Sequence, residues 1–250
     1  MYTVKNMNLD QDIFCFWREW ANKKFNWFQT DSEEKYQEHL KTRPGKLKEL
    51  GWIDNSFTYE FNSLGFRCKE ITDTDSIMFL GCSVTVGVGL PNHSIFPTLI
   101  AEKLNLQCVN MGVGGTSSDT AFRIASLYIE KVRPKILVAT LLFPERTELL
   151  TGQGVVRFNP EMLSLKNLHK LERQYTMEYY EKWIEIPETA HINQMKNILA
   201  INKLCDMYNV KFVSQTASRI PINFYNQARD LMHPGTEYHE KLAEIILEKI

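Results

Sequence analysis

The chain has 250 residues, 44% of them hydrophobic and 24% charged, with a net charge of −1. That is one large domain, or one domain plus an appendage, of ordinary globular composition. The near-zero charge predicts neither a nucleic-acid footprint nor a polybasic membrane patch, and no run approaches the roughly 18 apolar residues of a bilayer span. The first ten residues lack the apolar core of a secretory signal, which predicts an intracellular protein and leaves other export routes open. Five scattered cysteines (Cys15, Cys68, Cys82, Cys108, Cys205) lack C-x-x-C spacing. Neither a disulfide framework nor a zinc site follows from them, and reduced thiols are expected.

Residues 1–57 read as an aromatic-rich helical extension. Phe14, Phe16, Trp17, Trp20, Phe25, Trp27 and Phe28 crowd one stretch, too aromatic for a disordered tail. Packing on the main domain as a helical layer is the expectation; a docking surface or a lid over a site is the alternative. Asp31 and Glu34 form a candidate capping box for a helix to about Lys41, and Pro44-Gly45 breaks the chain.

The main domain is assigned to residues 58–250. Residues 59–67 give a short extended entry segment, and 77–80 the first core strand. Phe96, Leu99, Ile100 and Leu104 recur at helical spacing up to Asn105. Residues 107–111 make a second strand. A glycine-rich loop then opens a helix whose apolar face is Phe122, Ala125, Tyr128, Ile129 and Val132, ended by Pro134. Residues 135–142 make a third strand. Residues 151–190 are read as a helical insertion, followed by an amphipathic helix over 191–208 with Ile192, Met195, Leu199 and Cys205 on its buried face. Residues 211–215 make a fourth strand, and a final helix capped by Thr236 turns Tyr238, Leu242, Ile245 and Ile246 inward. Strands alternating with helices in this rhythm predict an α/β fold with a parallel sheet.

Chemistry is suggested at two places. The run Ile77-Met78-Phe79-Leu80 ends at Gly81, and Ser83 follows just past the strand, where open α/β sheets place ligands. Ser83 is either a presented nucleophile or the cap of the next helix. Near the C-terminus, Asp230 and His233 lie three residues apart ahead of Pro234. An aspartate so placed can orient the imidazole, which could then accept the Ser83 proton; a surface or packing histidine is the alternative. Cys82, beside a buried strand, reads as an inert packed thiol. His93, His169, His191 and His239 have no metal-ligand spacing and suit solvent-facing positions. The 112–115 glycine run lacks the P-loop lysine and is not a full dinucleotide fingerprint, which argues against nucleotide binding.

In order along the chain, Gly81-x-Ser83-x-Thr85-x-Gly87, Asn110-Met111-Gly112-Val113-Gly114-Gly115-Thr116-Ser117 and Asp230-Leu231-Met232-His233-Pro234 resemble three sequence blocks of the SGNH (GDSL-type) hydrolase family. Asn62-Ser63-Leu64-Gly65-Phe66-Arg67 is similar to a lead-in segment of some members. The resemblance covers residues 58–250. It implies a flavodoxin-like three-layer α/β/α sandwich and an acyl-enzyme esterase or O-deacetylase. Ser83 would be the nucleophile, His233 the general base and acid, and Asp230 its orienting partner. The backbone N–H groups of Ser83 and Gly115 would hold the oxyanion, and no metal or organic cofactor would be needed.

Two departures stand out. Cys82 replaces the aspartate of the usual Gly-Asp-Ser. The Gly-x-Asn-Asp block after the third strand is missing, the chain reading Leu142-Phe143-Pro144-Glu145-Arg146 instead. Losing an oxyanion donor can cost roughly 10²–10³ in rate. Arg146 is a candidate replacement or a contact for a substrate carboxylate; pairing with Glu145 or Glu148 is the alternative. The expected substrate is a small-molecule, lipid or carbohydrate ester. An O-acyltransferase on the same site and a catalytically weak carbohydrate-binding or assembly module are the competing functions, and the oligomeric state is open.

Overall fold

The computed structural model describes residues 10, 12–141, 143–152, 154–159, 170–215 and 226–250. After a 3-10 turn at Phe16–Trp20 come β1 (Lys24–Phe25), α1 (Glu33–Thr42), α2 (Pro44–Glu49) and β2 (Tyr59–Glu60). Next are β3 (Ser76–Gly81), α3 (Ser83–Val86), a 3-10 turn at Asn92–Ser94, α4 (Phe96–Leu104), β4 (Gln107–Asn110), α5 (Ser118–Val132) and β5 (Ile136–Thr140). A hairpin of β6 (Thr147–Thr151) and β7 (Gly154–Phe158) follows, then α6 (Lys170–Glu185), α7 (Pro187–Met207), β8 (Lys211–Gln215) and α8 (Thr236–Leu247).

The centre is a four-stranded parallel sheet in the order β4-β3-β5-β8. Counted along the sheet, that is the 2-1-3-4 order of flavodoxin-like folds. Alternate residues of each strand serve opposite faces. Met78, Leu80, Val109, Leu137 and Ala139 pack with α5 and α7, while Ile77, Phe79, Ile136 and Val138 pack with α4 and α8. Because both faces are covered by helices, the strands are nearly all apolar. The α/β class with a parallel sheet is therefore what the molecule has.

Several local expectations change. The aromatic stretch is not an α-helical layer: it holds a 3-10 turn and a strand, β1, that pairs antiparallel with β2. Its rings are core. Trp17 stacks on Phe66 at 5.7 Å, and Phe28 packs on Phe61 at 4.8 Å. Helix α1 is capped by Ser32, whose Oγ accepts from Lys35 N–H, and not by Asp31. Pro44 both follows one helix and opens the next, its fixed φ suiting the first turn of α2. The hairpin occupies the start of the expected 151–190 insertion; the insertion is helical from Lys170. Thr236 makes no capping bond. Asn226 Oδ1 instead accepts from Glu237 N–H.

Helix α7 is rotated from its expected phase. Ile192, Met195 and Leu199 are 67%, 55% and 62% exposed, whereas Asn193, Gln194, Asn197, Ile201, Leu204 and Cys205 are buried. Asn193 and Asn197 donate to Asp119 Oδ1 at 2.8 and 2.7 Å, and Asn197 also donates to Ser118 Oγ at 2.9 Å. The carboxylate at the start of α5 needs these donors, and meeting that need turns the apolar stripe outward. All five cysteines are free thiols. No helix among the described residues is long and apolar enough to cross a membrane.

Candidate active site

Strand β3 delivers the chain to the carboxyl edge of the sheet, where Cys82 is the N-cap and Ser83 the first residue of α3. The turn is held from below. Thr85 and Thr140 bring their hydroxyls within 2.6 Å of each other, Thr140 donates to Leu80 O at 3.2 Å, and Asn110 donates to Thr85 O at 2.7 Å. A Cβ on Gly81 would overlap both threonine hydroxyls, so the close approach requires glycine. Ser83 thus stands on a scaffold joining the ends of β3, β4 and β5. It is not a cap; its Oγ lies 2.8 Å from His233 Nε2.

His233 comes from the segment between the fourth strand and α8. Asp230 Oδ1 accepts from the backbone N–H groups of Met232 and His233, at 3.1 and 2.9 Å, with Leu231 in the left-handed region. That Asx-type turn brings Oδ2 to 2.6 Å from His233 Nδ1. With Nδ1–H donating to Asp230, Nε2 is left to accept from the Ser83 hydroxyl. Burial pushes the Asp230 carboxyl upward, but the bonds and charge from His233 and the Thr30 hydroxyl outweigh it and hold the group down to about 2.

The N-terminal segment completes this arrangement with residues that no sequence signal marks as part of the site. Thr30 Oγ1 donates to Asp230 Oδ2 at 2.7 Å and lies 3.3 Å from His233 Nδ1. Next to it, Asp31 takes a bidentate pair of bonds from Arg229 at 3.0 and 2.7 Å, with both side chains buried. Tyr59 donates to Asp31 at 2.5 Å, and Arg229 also bonds Asn26 O. The guanidinium lies 4.1 Å from the centre of the Trp27 ring and 4.0 Å from that of Phe57. Trp52 Nε1 reaches Gln227 O at 2.9 Å. No local pattern marks Thr30, and the local pattern at Asp31 points to a helix cap, since the partners of both lie some 200 residues away.

Ser83 and His233 face a cavity of about 370 Å³ whose wall includes Gln29, Gly115, Phe143, Arg146 and Arg157. Gly115 has φ +71°, and neither its N–H nor that of Ser83 donates to an acceptor among the described residues. Arg157 borders the cavity and donates to Gly114 O at 3.1 Å. Arg146 lies with its guanidinium 4.2 Å over the Phe143 ring. It does not pair with Glu148, which holds Arg123 at 2.9 Å, nor with Glu145; its Nε and Nη1 are buried without an acceptor among the described residues. A larger cavity of about 660 Å³ lies beside Arg67, His93 and Cys108; Ser56, His93 and Glu102 also line it, without the hydrogen-bonded relay that joins Ser83, His233 and Asp230.

The remaining candidates fall elsewhere. Cys82 is buried. His93 and His191 are exposed, and His169 lies outside the described residues. His239 is 1% exposed, against the solvent-facing expectation; its Nδ1 accepts from Phe96 N–H at 3.1 Å, and burial lowers it to about 3. Among the described residues no group of three His, Cys, Asp or Glu side chains could hold a metal ion.

No family model and no curated protein matches the chain. Solved structures similar to it include TesA (TM-score 0.38, 11% identity, 70% of this chain and 97% of that one). Others are the psychrotrophic esterase EstA from Pseudoalteromonas sp. (0.37, 13%, 70% and 97%) and AlinE4, an SGNH-hydrolase family esterase (0.31, 15%, 72% and 96%). At such scores, function has to be read from the side chains of the site.

Proposed function

We propose that the protein is a serine hydrolase of carboxylic esters, an esterase or O-deacetylase of SGNH type. The observation that carries this reading is the continuous hydrogen-bonded chain from Ser83 Oγ through His233 to Asp230, opening on a cavity beside two backbone N–H groups that have no acceptor among the described residues.

In this reading Ser83 Oγ attacks the ester carbonyl while His233 Nε2 takes its proton. Asp230 stays ionised, keeps Nδ1–H pointing at itself and stabilises the imidazolium. The carbonyl oxygen becomes an oxyanion held by the N–H groups of Ser83 and Gly115. His233 returns the proton to the departing alcohol as the C–O bond breaks. Water, deprotonated by His233, then attacks the acyl-Ser83 ester and releases the carboxylic acid and the free serine. Thr30 acts on the reaction through Asp230: its hydroxyl fills the remaining site on Oδ2 and restrains the carboxylate.

The test is hydrolysis of short-chain aryl esters by the wild type and by Ser83→Ala, with folding followed by circular dichroism. Turnover in the wild type that falls by about 10⁴-fold or more in a folded mutant is the expected result. Equal rates in the two proteins would remove Ser83 from the chemistry.

A further inference from the structure

Among the described residues, the cavity wall carries two guanidinium groups and no carboxylate. Arg157 is committed in part to Gly114 O and packs 4.4 Å over Phe16, and burial lowers its pKa. Arg146 is different. Two of its three guanidinium nitrogens are out of contact with water and meet no acceptor among the described residues. A buried cationic donor left in that condition is costly, and such groups ordinarily have a partner.

The nearby carboxylates are engaged elsewhere. Glu148 serves Arg123 and Thr120, Asp119 serves Asn193, Asn197 and Thr147, and Asp230 serves His233 and Thr30. Glu145 makes no ion pair with Arg146. Tyr180, near enough for the Glu145 and Arg146 charges to act on it, is also buried, and its hydroxyl meets no hydrogen-bond partner among the described residues. The Ser83 and Gly115 N–H groups are available for the developing oxyanion, which leaves the Arg146 charge for a standing one.

Resting on the ester-hydrolase reading, we propose that the natural substrate is an anionic ester, with a carboxylate, phosphate or sulfate group held by Arg146 beside Arg157. A planar guanidinium suits all three anions. The anion can sit on the acyl half or on the alcohol half of the ester, and two probes separate these sources. Mono-4-nitrophenyl glutarate carries its charge on the acyl side, and 4-acetoxybenzoate on the alcohol side. Their neutral counterparts are 4-nitrophenyl butyrate and phenyl acetate.

At 50 mM KCl, kcat/KM for at least one anionic probe is expected to exceed its neutral counterpart by about 10-fold or more. That ratio should shrink several-fold at 500 mM KCl as the charge is screened. It should fall at least 10-fold in Arg146→Gln and be partly kept in Arg146→Lys. In parallel, millimolar glutarate or inorganic phosphate should slow fluorophosphonate labelling of Ser83 in the wild type and not in Arg146→Gln. Ratios at or below one for both probes in the wild type, or an anion preference unchanged in Arg146→Gln, would overturn the anion site. The wild-type comparison decides this even if the mutants fold poorly. Failure of the fluorophosphonate to label Ser83 at all would instead overturn the hydrolase reading, and the anion site with it.

Discussion

Thr30 shows how much of the site depends on a single hydroxyl brought from far along the chain. Its bond to Asp230 is charge-assisted, and removing such a donor costs more than losing a neutral hydrogen bond. Thr30→Val should lower kcat/KM for an aryl ester by roughly 10-fold, and Thr30→Ser should recover most of it. Loss of a donor should also let Asp230 titrate above its present value of about 2, as read by carboxyl NMR. An unchanged Asp230 titration together with an unchanged kcat/KM in Thr30→Val would make the residue a packing contact and nothing more. Ser83, Asp230 and His233 stand out in the sequence as candidates because a glycine-bounded strand end and an Asp-x-x-His-Pro turn are local signals, and because their order resembles the SGNH blocks. Thr30 and the unpaired state of Arg146 do not, since both depend on distant partners. The Glu148 that might have paired with Arg146 is drawn away by Arg123 on α5, a preference no spacing rule reveals.

Among the elements, the segment carrying Asp230 and His233 is held by the N-terminal extension. The buried Asp31–Arg229 pair, closed by Tyr59, fixes the residue next to Asp230. Removing one partner strands the other charge away from water, so Asp31→Ala should destabilise the fold by about 3–5 kcal/mol in urea titrations. A loss under about 1 kcal/mol would mean the extension merely rests on the domain. The strands of the sheet and helices α4, α5 and α8 were legible because their apolar periods are strong and glycine, asparagine or proline marks their ends. Helix α7 was legible in extent but not in orientation. Its Ile192, Met195 and Leu199 make a plausible buried stripe, yet Asn193 and Asn197 are drawn inward to satisfy Asp119. The aromatic run gives no clue to its 3-10 turn and strand, because aromatic density signals burial and says little about backbone shape.

For the molecule as a whole, two buried titrating groups set the response to acid. His239, lowered to about 3 by burial, is neutral in the fold and binds a proton more readily once unfolded. Stability is therefore unaffected by it above about pH 6.5 and falls as pH drops toward 3, by up to about 1.4 kcal/mol per pH unit. Asp230, held at about 2, contributes stability that is present above about pH 4 and lost as pH falls through 2. Urea midpoints should decline steadily from pH 7 to pH 4.5. His239→Gln, which keeps an acceptor for Phe96 N–H, should flatten that decline even if it lowers stability at pH 7. Parallel curves for the two proteins would remove His239 as the cause.

The central claim is that Ser83 is a nucleophile activated through His233. It is tested most directly by treating the wild type and His233→Gln with a fluorophosphonate and mapping the adduct by mass spectrometry. A single adduct on Ser83 is expected in the wild type, with labelling slowed by orders of magnitude in His233→Gln. An unlabelled Ser83 in folded wild type, or equal labelling in both proteins, would contradict it.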